Sequence, residues 1–97
     1  MSGVMPTFAA TVDFTEDALV VRLADGRVLA IPLAWFPRLF QATPAERNHW
    51  RWIGRGIGIH WPDLDEDIAI EDLILGRRSG ESQESLRRWL AARTRTG

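Results

Sequence analysis

Three of the five tryptophans, three of the eight glycines and a run of acids lie in one segment, Trp50-Arg-Trp-Ile-Gly54-Arg-Gly-Ile-Gly58-Ile-His60-Trp-Pro62-Asp-Leu-Asp65-Glu-Asp67. Over residues 57–61, large apolar side chains alternate with a glycine and a histidine. This period of two predicts a strand with one face in the core. Pro62 ends the strand, and residues 63–67 predict an acidic loop that is anchored by Leu64.

The segments on either side of this stretch predict short elements. Thr43-Pro44-Ala45-Glu46 has the pattern of a helix start, because Thr43 can cap the helix and Glu46 can reach back to the Thr43 amide. We expect this helix to run to about Ile53 and to end at Gly54. Residues 68–70 predict a second short strand. Residues 71–75 predict one helical turn, which ends at Gly76.

The N-terminal part predicts a three-stranded meander. Residues 8–14 alternate with Phe8, Ala10, Val12 and Phe14 on the expected core face. Two further strands flank the dipeptide Asp25-Gly26, which predicts a two-residue type I′ turn.

Near the C-terminus, the spacing of Leu86, Trp89, Leu90 and Arg93 predicts an amphipathic helix from about Ser82 to Thr94, with Ser82 as its cap. The whole pattern predicts an α+β fold. It would have a small antiparallel sheet, made of the N-terminal three-stranded meander plus one or two short strands. Short helices and the C-terminal amphipathic helix would pack with it. We expect residues 1–76 to form the α+β domain and residues 77–97 to form a basic helix of the same single domain.

Composition excludes several classes of protein. The 97 residues contain no Cys, so disulfides and thiolate metal sites are excluded. No apolar run has the roughly 18 residues that a membrane span needs. Residues 1–7 predict a loose leader that lacks the features of a signal peptide. We therefore expect a cytoplasmic protein with no membrane contact.

Charge is unevenly distributed along the chain. Residues 1–76 hold six Arg and eleven acids, a formal charge of −5, whereas residues 77–97 hold six Arg and two acids, a charge of +4. Such asymmetry supports an alternative hypothesis of nucleic-acid contact through the basic helix. The predicted contact residues for that alternative are Arg77, Arg78, Arg87, Arg88, Arg93 and Arg95.

The familiar catalytic and cofactor motifs do not fit. The acids at 63, 65 and 67 resemble the start of a calcium loop, but the sixth position is Ile68 where glycine is needed, and the twelfth is Ile74 where glutamate is needed. The glycines at 54, 56 and 58 lack the dinucleotide spacing. We therefore predict no cofactor, no metal and no enzyme activity. A second alternative is an enzyme that uses His60 and Asp63 as acid and base.

Three segments resemble a family of small bacterial proteins, the domain of unknown function 2442. They are Trp35-Phe-Pro-Arg-Leu39, Ala42-Thr-Pro-Ala-Glu-Arg47 and, most specifically, Gly56-Ile-Gly-Ile-His-Trp-Pro-Asp-Leu-Asp-Glu-Asp67, and Trp50 belongs to the same resemblance. The resemblance extends from about Phe8 to Gly76 and implies a small α+β fold. Family members often sit beside a second small protein in a pairing that looks like a toxin–antitoxin module. The resemblance therefore implies an antitoxin-like or partner-binding role.

Our main hypothesis is a non-catalytic module that binds a small, basic protein, which is encoded by a neighbouring gene. The acids of residues 63–67 are expected to point outward, where they would attract a positive partner and orient it. The predicted partner-binding residues are Arg55, His60, Asp63, Asp65, Glu66 and Asp67.

Overall fold

A computed structural model describes residues 8–96 of the chain, with side chains described as far as Arg93. The predicted leader, residues 1–7, lies outside the described residues. The strands are β1 (Ala9–Phe14), β2 (Ala18–Leu23), β3 (Val28–Pro32), β4 (Arg51–Ile53), β5 (Gly58–Trp61) and β6 (Glu66–Ala69). The helices are α1 (Pro37–Gln41), α2 (Pro44–Asn48), α3 (Ile70–Ile74) and α4 (Gln83–Thr96), with a 3₁₀ turn at Leu33–Trp35. The predicted α+β class is confirmed.

The first sheet is the predicted antiparallel meander, in the order β1-β2-β3, but the predicted turn between β2 and β3 is wrong. A type I′ turn needs a positive φ at both Asp25 and Gly26. Gly26 has a φ of 97°, but Asp65 is the one non-glycine residue with a positive φ in the described chain, so Asp25 does not meet this requirement. The Leu23 amide donates to the Arg27 carbonyl over 2.8 Å, which closes a three-residue loop with a glycine bulge.

This longer loop shifts the register of β3 by one residue from the prediction. Val21 pairs with Leu29, and Leu19 pairs with Ile31. Since directly paired residues lie on the same face, Leu29 and Ile31 turn toward the core, whereas Val28 lies outside with an exposed fraction of 49%. The face that carries Arg22 and Val28 is therefore the outer face.

Strand β1 contains an irregularity that breaks its predicted alternation. Ala9 pairs with Leu23 and Thr11 with Arg22, so Ala10 is an extra residue in the ladder. A bulge of this kind reverses the side-chain alternation on one side of it. Ala9 is consequently buried in place of Ala10.

The second sheet, in the order β4-β5-β6, corrects the prediction of a helix that continues to Ile53. The predicted capping box at Thr43 is confirmed, but α2 ends at Asn48 because His49 leaves helical geometry, with φ −97° and ψ 85°. Residues 51–53 then pair with β5. The prediction of a longer helix depended on one apolar pair at helical spacing, Trp50 and Ile53. Tryptophan and isoleucine, however, also favour strands.

Both sheets contribute to one core of buried apolar residues. Its centre is Trp61 on β5, which is fully buried, as the alternating pattern predicted. The Trp61 indole N–H donates to the Arg47 carbonyl over 3.0 Å, and its ring meets the edge of Phe14 at a centroid distance of 6.4 Å. The sheets also join directly, because the Ala9 amide donates to the Gly56 carbonyl over 2.8 Å.

Helix α4 contacts α1 through Arg38 and Trp89, and α2 through Glu46 and Arg93. Its start is capped as predicted, since the Ser82 hydroxyl accepts a hydrogen bond from the Ser85 amide. The half-buried Trp89 ring lies under the guanidinium groups of Arg38, at 5.1 Å, and Arg93, at 4.5 Å. No helix between residues 8 and 96 is both long and apolar enough to cross a membrane.

Candidate functional site

The acidic turn, which we define as Pro62–Asp67, follows β5, includes the first two residues of β6 and has a fixed backbone. Leu64 is fully buried beneath it, and the Leu64 amide donates to the Trp61 carbonyl over 3.2 Å. Arg38 Nη1 donates to the carbonyls of Leu64, at 2.9 Å, and Asp65, at 3.3 Å. Asp65 itself adopts a φ of 50°. The turn is therefore held from below by one apolar anchor and one guanidinium.

The same guanidinium connects the acidic turn to the start of α4. Arg38 Nη2 lies 2.7 Å from Glu81 Oε2, and both side chains are largely buried. This pair lowers the pKa of Glu81 and raises that of Arg38. Sequence reasoning did not identify Arg38, although the arginine inside the Trp35–Leu39 motif was a visible signal.

Three carboxylates of the acidic turn point outward, in agreement with the geometry that we expected. Asp63, Asp65 and Asp67 are exposed. Asp63 Oδ2 lies 2.7 Å from His49 Nδ1, and Asp67 contacts His60. The acid–base pair of His60 with Asp63 is not formed, because His60 faces Asp67 across β5 and β6, while Asp63 lies beyond Pro62 and reaches the end of α2.

The outer face of the second sheet carries a polar row beside this turn. Arg51, His60 and Asp67 are direct neighbours on β4, β5 and β6, and they therefore project from one face. Arg55 is not part of this group. It lies in the turn before β5, so the strand, about 13 Å long for its four residues, separates Arg55 from the acidic turn.

Glu66 differs from the other acids because it opens strand β6 on its inner face. It pairs with the buried Trp61, and Ile68 follows on the same side. Desolvation raises the pKa of Glu66 to about 7. The attraction of Arg38 opposes this rise, whereas Glu81, Asp67 and Asp65 add to it. We had expected Glu66 to point outward, since a run of five residues with four acids is typical of a solvated loop.

The burial of Glu66 predicts a pH-dependent cost to folding. Its pKa in the folded state exceeds the usual 4.5, so stability should fall as pH rises from about 4.5 through 7. We expect Glu66→Gln to remove this fall and to stabilise the protein at pH 8 by about 1–3 kcal/mol. Thermal unfolding of both proteins at pH 4.5, 6 and 8 provides the measurement. A variant that is less stable than the wild type at pH 8 would contradict this account of Glu66.

A groove of about 220 Å³ opens beside Glu66, between β6, α3 and the segment that precedes α4. Phe36 and Ile68 supply apolar surface, and the rest of the lining is polar. Asp72 pairs with Arg77 over 2.9 Å on one side, and the Arg78 guanidinium lies 4.4 Å above the Trp35 ring. The groove lining is Phe36, Glu66, Asp67, Ile68, Asp72, Arg77, Arg78, Ser79 and Gly80.

Most of the basic residues that could contact nucleic acid are engaged within the molecule. Arg77 and Arg78 have the partners just described, and Arg88 lies 3.8 Å from Glu84. Arg93 donates to both oxygens of Glu46, at 2.7 and 2.9 Å. Arg87 is exposed, and the side chain of Arg95 lies outside the described residues. Three of the six arginines of residues 77–97 therefore pair with a carboxylate.

The Arg93–Glu46 pair should make the stability of the protein sensitive to acid. The hydrogen bond from Arg93, followed by that from the Thr43 amide, lowers the pKa of Glu46 to about 2. The contribution of the pair is then present above about pH 4.5 and is lost as pH falls toward 2. Arg93→Met keeps the aliphatic stem and removes this contribution. We expect the gap in melting temperature between wild type and Arg93→Met to be wider at pH 5 than at pH 2.5, and an equal gap would contradict the assignment.

Among the described side chains, no three His, Asp or Glu are grouped closely enough to hold a metal ion. Two three-stranded antiparallel sheets, a shared core and a terminal helix define the chain as a small α+β protein of two-sheet architecture. The chain belongs to the family described as protein of unknown function (DUF2442), whose family model matches residues 9–79.

Two solved structures share this fold. The crystal structure of a protein of unknown function from Rhodospirillum rubrum is 24% identical, with a TM-score of 0.68, and the match covers 79% of this chain and 95% of that chain. The NMR structure of an uncharacterised protein from Chromobacterium violaceum is 23% identical, with a TM-score of 0.64, and covers 84% and 74% respectively. No curated protein matches the chain.

Proposed function

We propose that this protein is a non-catalytic, cytoplasmic binding module that holds a small, basic protein partner against its acidic turn. The observation that carries the proposal is the outward position of Asp63, Asp65 and Asp67 on a turn fixed by Leu64 and Arg38. A fixed loop loses little conformational entropy when it binds. The turn is therefore suited to recognition.

Charge supports a basic partner in particular. Acidic groups that meet a positive surface accelerate association and exclude wrong partners, even where they add little affinity. His49 and His60 leave the aspartates accessible, since the Asp63 and Asp67 side chains remain 43% and 65% exposed. The polar row of Arg51, His60 and Asp67 extends the same surface across the second sheet.

The antitoxin-like role implied by the family resemblance is the biological form that we propose for this binding. In that role the partner is the product of the adjacent gene, and complex formation restrains its activity. The nucleic-acid alternative is less well supported, because Arg77, Arg88 and Arg93 are paired with carboxylates. It predicts an affinity for DNA that falls steeply with salt concentration.

Co-expression of the chain with the neighbouring gene product, followed by affinity capture, tests the proposal. We expect a complex with the wild type and at least tenfold weaker binding after Asp63, Asp65 and Asp67 are all changed to Ala, a loss of about 1.4 kcal/mol or more. A matched control changes three exposed acids elsewhere, Asp13, Glu16 and Glu71, to Ala.

The control removes the same total charge, so it separates recognition by the acidic turn from the effect of the protein's net charge on association. The control protein should bind as the wild type does. The proposal is overturned if the wild type forms no complex with the neighbouring gene product, or if both triple variants bind equally well. Circular dichroism of each variant verifies that the fold is retained.

A further inference from the structure

The groove beside Glu66 has the size of a single side chain. Its volume of about 220 Å³ is below the roughly 300–1,000 Å³ of pockets that enclose small-molecule ligands. It nevertheless exceeds the space of several water molecules, each of which takes about 30 Å³ in the liquid. Phe36 and Ile68 lie beneath it and are only 5% and 3% exposed, so its accessible lining is mostly polar.

The charged groups around the groove are satisfied, with one exception. Asp67 contacts His60, Asp72 pairs with Arg77, and Arg78 lies over the Trp35 ring. Arg38, which attracts Glu66 from a distance, is held by Glu81. The Glu66 carboxylate forms no hydrogen bond or ion pair with the described part of the chain, although it is mostly buried.

We propose that this groove receives one basic side chain of the protein partner, an arginine or a lysine, with the Glu66 carboxylate as its counter-ion. The inference rests on the proposed function and adds a specific anchor to it. A guanidinium or ammonium group carries several N–H donors, which suit a groove whose accessible lining is mostly polar and includes the Glu66 carboxylate. Three carboxylates line it against two guanidinium groups, so a further positive charge is accommodated.

The anchor makes binding depend on pH. The charged groups that face Glu66 are Arg38 from α1, Asp65 and Asp67 from its own hairpin, Glu81 before α4, and Asp72, Arg77 and Arg78 around the groove. Because the pKa of Glu66 is raised to about 7, the carboxyl group is largely protonated at pH 6 and ionised at pH 8. A cation binds the ionised form, so affinity should increase about tenfold from pH 6 to pH 8, and binding at pH 6 should release about one proton.

The probe for this site is N-acetyl-arginine methylamide, compared with its neutral isostere N-acetyl-citrulline methylamide. Each is added at millimolar concentrations to the ¹⁵N-labelled full chain at pH 6 and pH 8, and amide shifts are followed. We expect the arginine probe to shift Ile68 and Gly80, with about tenfold tighter binding at pH 8, and the citrulline probe to shift neither. Glu66→Gln should abolish the response, whereas Glu71→Gln, an exposed acid on α3, should respond as the wild type does.

Absence of groove shifts with the arginine probe overturns the inference, as does equal binding of both probes or an unchanged response in Glu66→Gln. The outcome is separable from that of the capture experiment. A complex with the neighbouring gene product that is unaffected by Glu66→Gln removes the anchor and leaves the proposed function in place. Binding of the arginine probe without any such complex removes the proposed function and leaves a site for basic side chains.

Discussion

Replacing Trp61 with alanine is expected to destabilise the protein by about 4 kcal/mol or more, the largest effect of any single side-chain truncation in the core. Truncation of a buried tryptophan costs about 3–5 kcal/mol through lost burial and the cavity left behind. Trp61 has no exposed surface, and its N–H satisfies the Arg47 carbonyl. A domain of this length has a total stability of about 5–15 kcal/mol.

The melting temperature of Trp61→Ala should therefore fall by more than about 15 °C, since each kcal/mol corresponds to about 4–8 °C for a small domain. Trp61→Phe is the matched control. It keeps an aromatic ring and loses the hydrogen bond to Arg47, so a smaller loss, about 1–2 kcal/mol, is expected. If Trp61→Ala melted within a few degrees of the wild type, Trp61 would not be the centre of the core.

Replacing Gly56 with alanine should have the second largest effect, about 2–4 kcal/mol, because it combines two costs. Gly56 has a φ of 94°, a conformation that side chains rarely adopt. A Cβ atom at this position would also lie 2.6 Å from the Ala9 carbonyl oxygen. That contact belongs to the junction between the two sheets, where the Ala9 amide bonds to the Gly56 carbonyl.

Gly26→Ala isolates the first of these costs. Gly26 has a nearly equal φ of 97°, yet a Cβ there would meet nothing within 4 Å. We expect Gly26→Ala to lose about 1 kcal/mol from backbone strain alone. Chemical denaturation of both variants measures the difference, which is the cost of forcing the sheets apart. Equal losses would mean that the close approach of Gly56 to Ala9 does not occur in solution.

The parts of the fold that were predictable from sequence are those with strong local signals. The capping box of Thr43 and Glu46 requires only neighbouring backbone groups, and it formed as expected. Gly76 ends the turn after α3 with a φ of 75°, again through a local preference. The burial of Ile59 and Trp61 followed from simple alternation.

The parts that could not be predicted depend on contacts that are distant in sequence. The register of β3 is set by a three-residue loop. The dipeptide Asp25-Gly26 is as compatible with that loop as with the two-residue turn that we expected. Strand β4 exists because β5 pairs with it, and its three residues have too short a pattern to oppose a helix. Arg38 contacts Leu64, Glu81 and Trp89, none of which is its neighbour in sequence.

Much of the candidate site also depends on contacts between residues that are distant in sequence. The acidic run was visible, and three of its aspartates face outward. The inward orientation of Glu66, however, depends on where β6 begins, because a strand that started one residue later would place Glu66 outside its ladder. The groove likewise requires α3 and the segment before α4 to meet β6, which no local pattern indicates.

The acidic turn is the proposed binding site for a basic partner. Titration of the unlabelled neighbouring gene product into the ¹⁵N-labelled chain maps the interface most directly. We predict that the largest amide shifts fall on residues 63–67 and on β5, and that helix α4 changes little. Shifts confined to α4, with the acidic turn unchanged, would contradict the account.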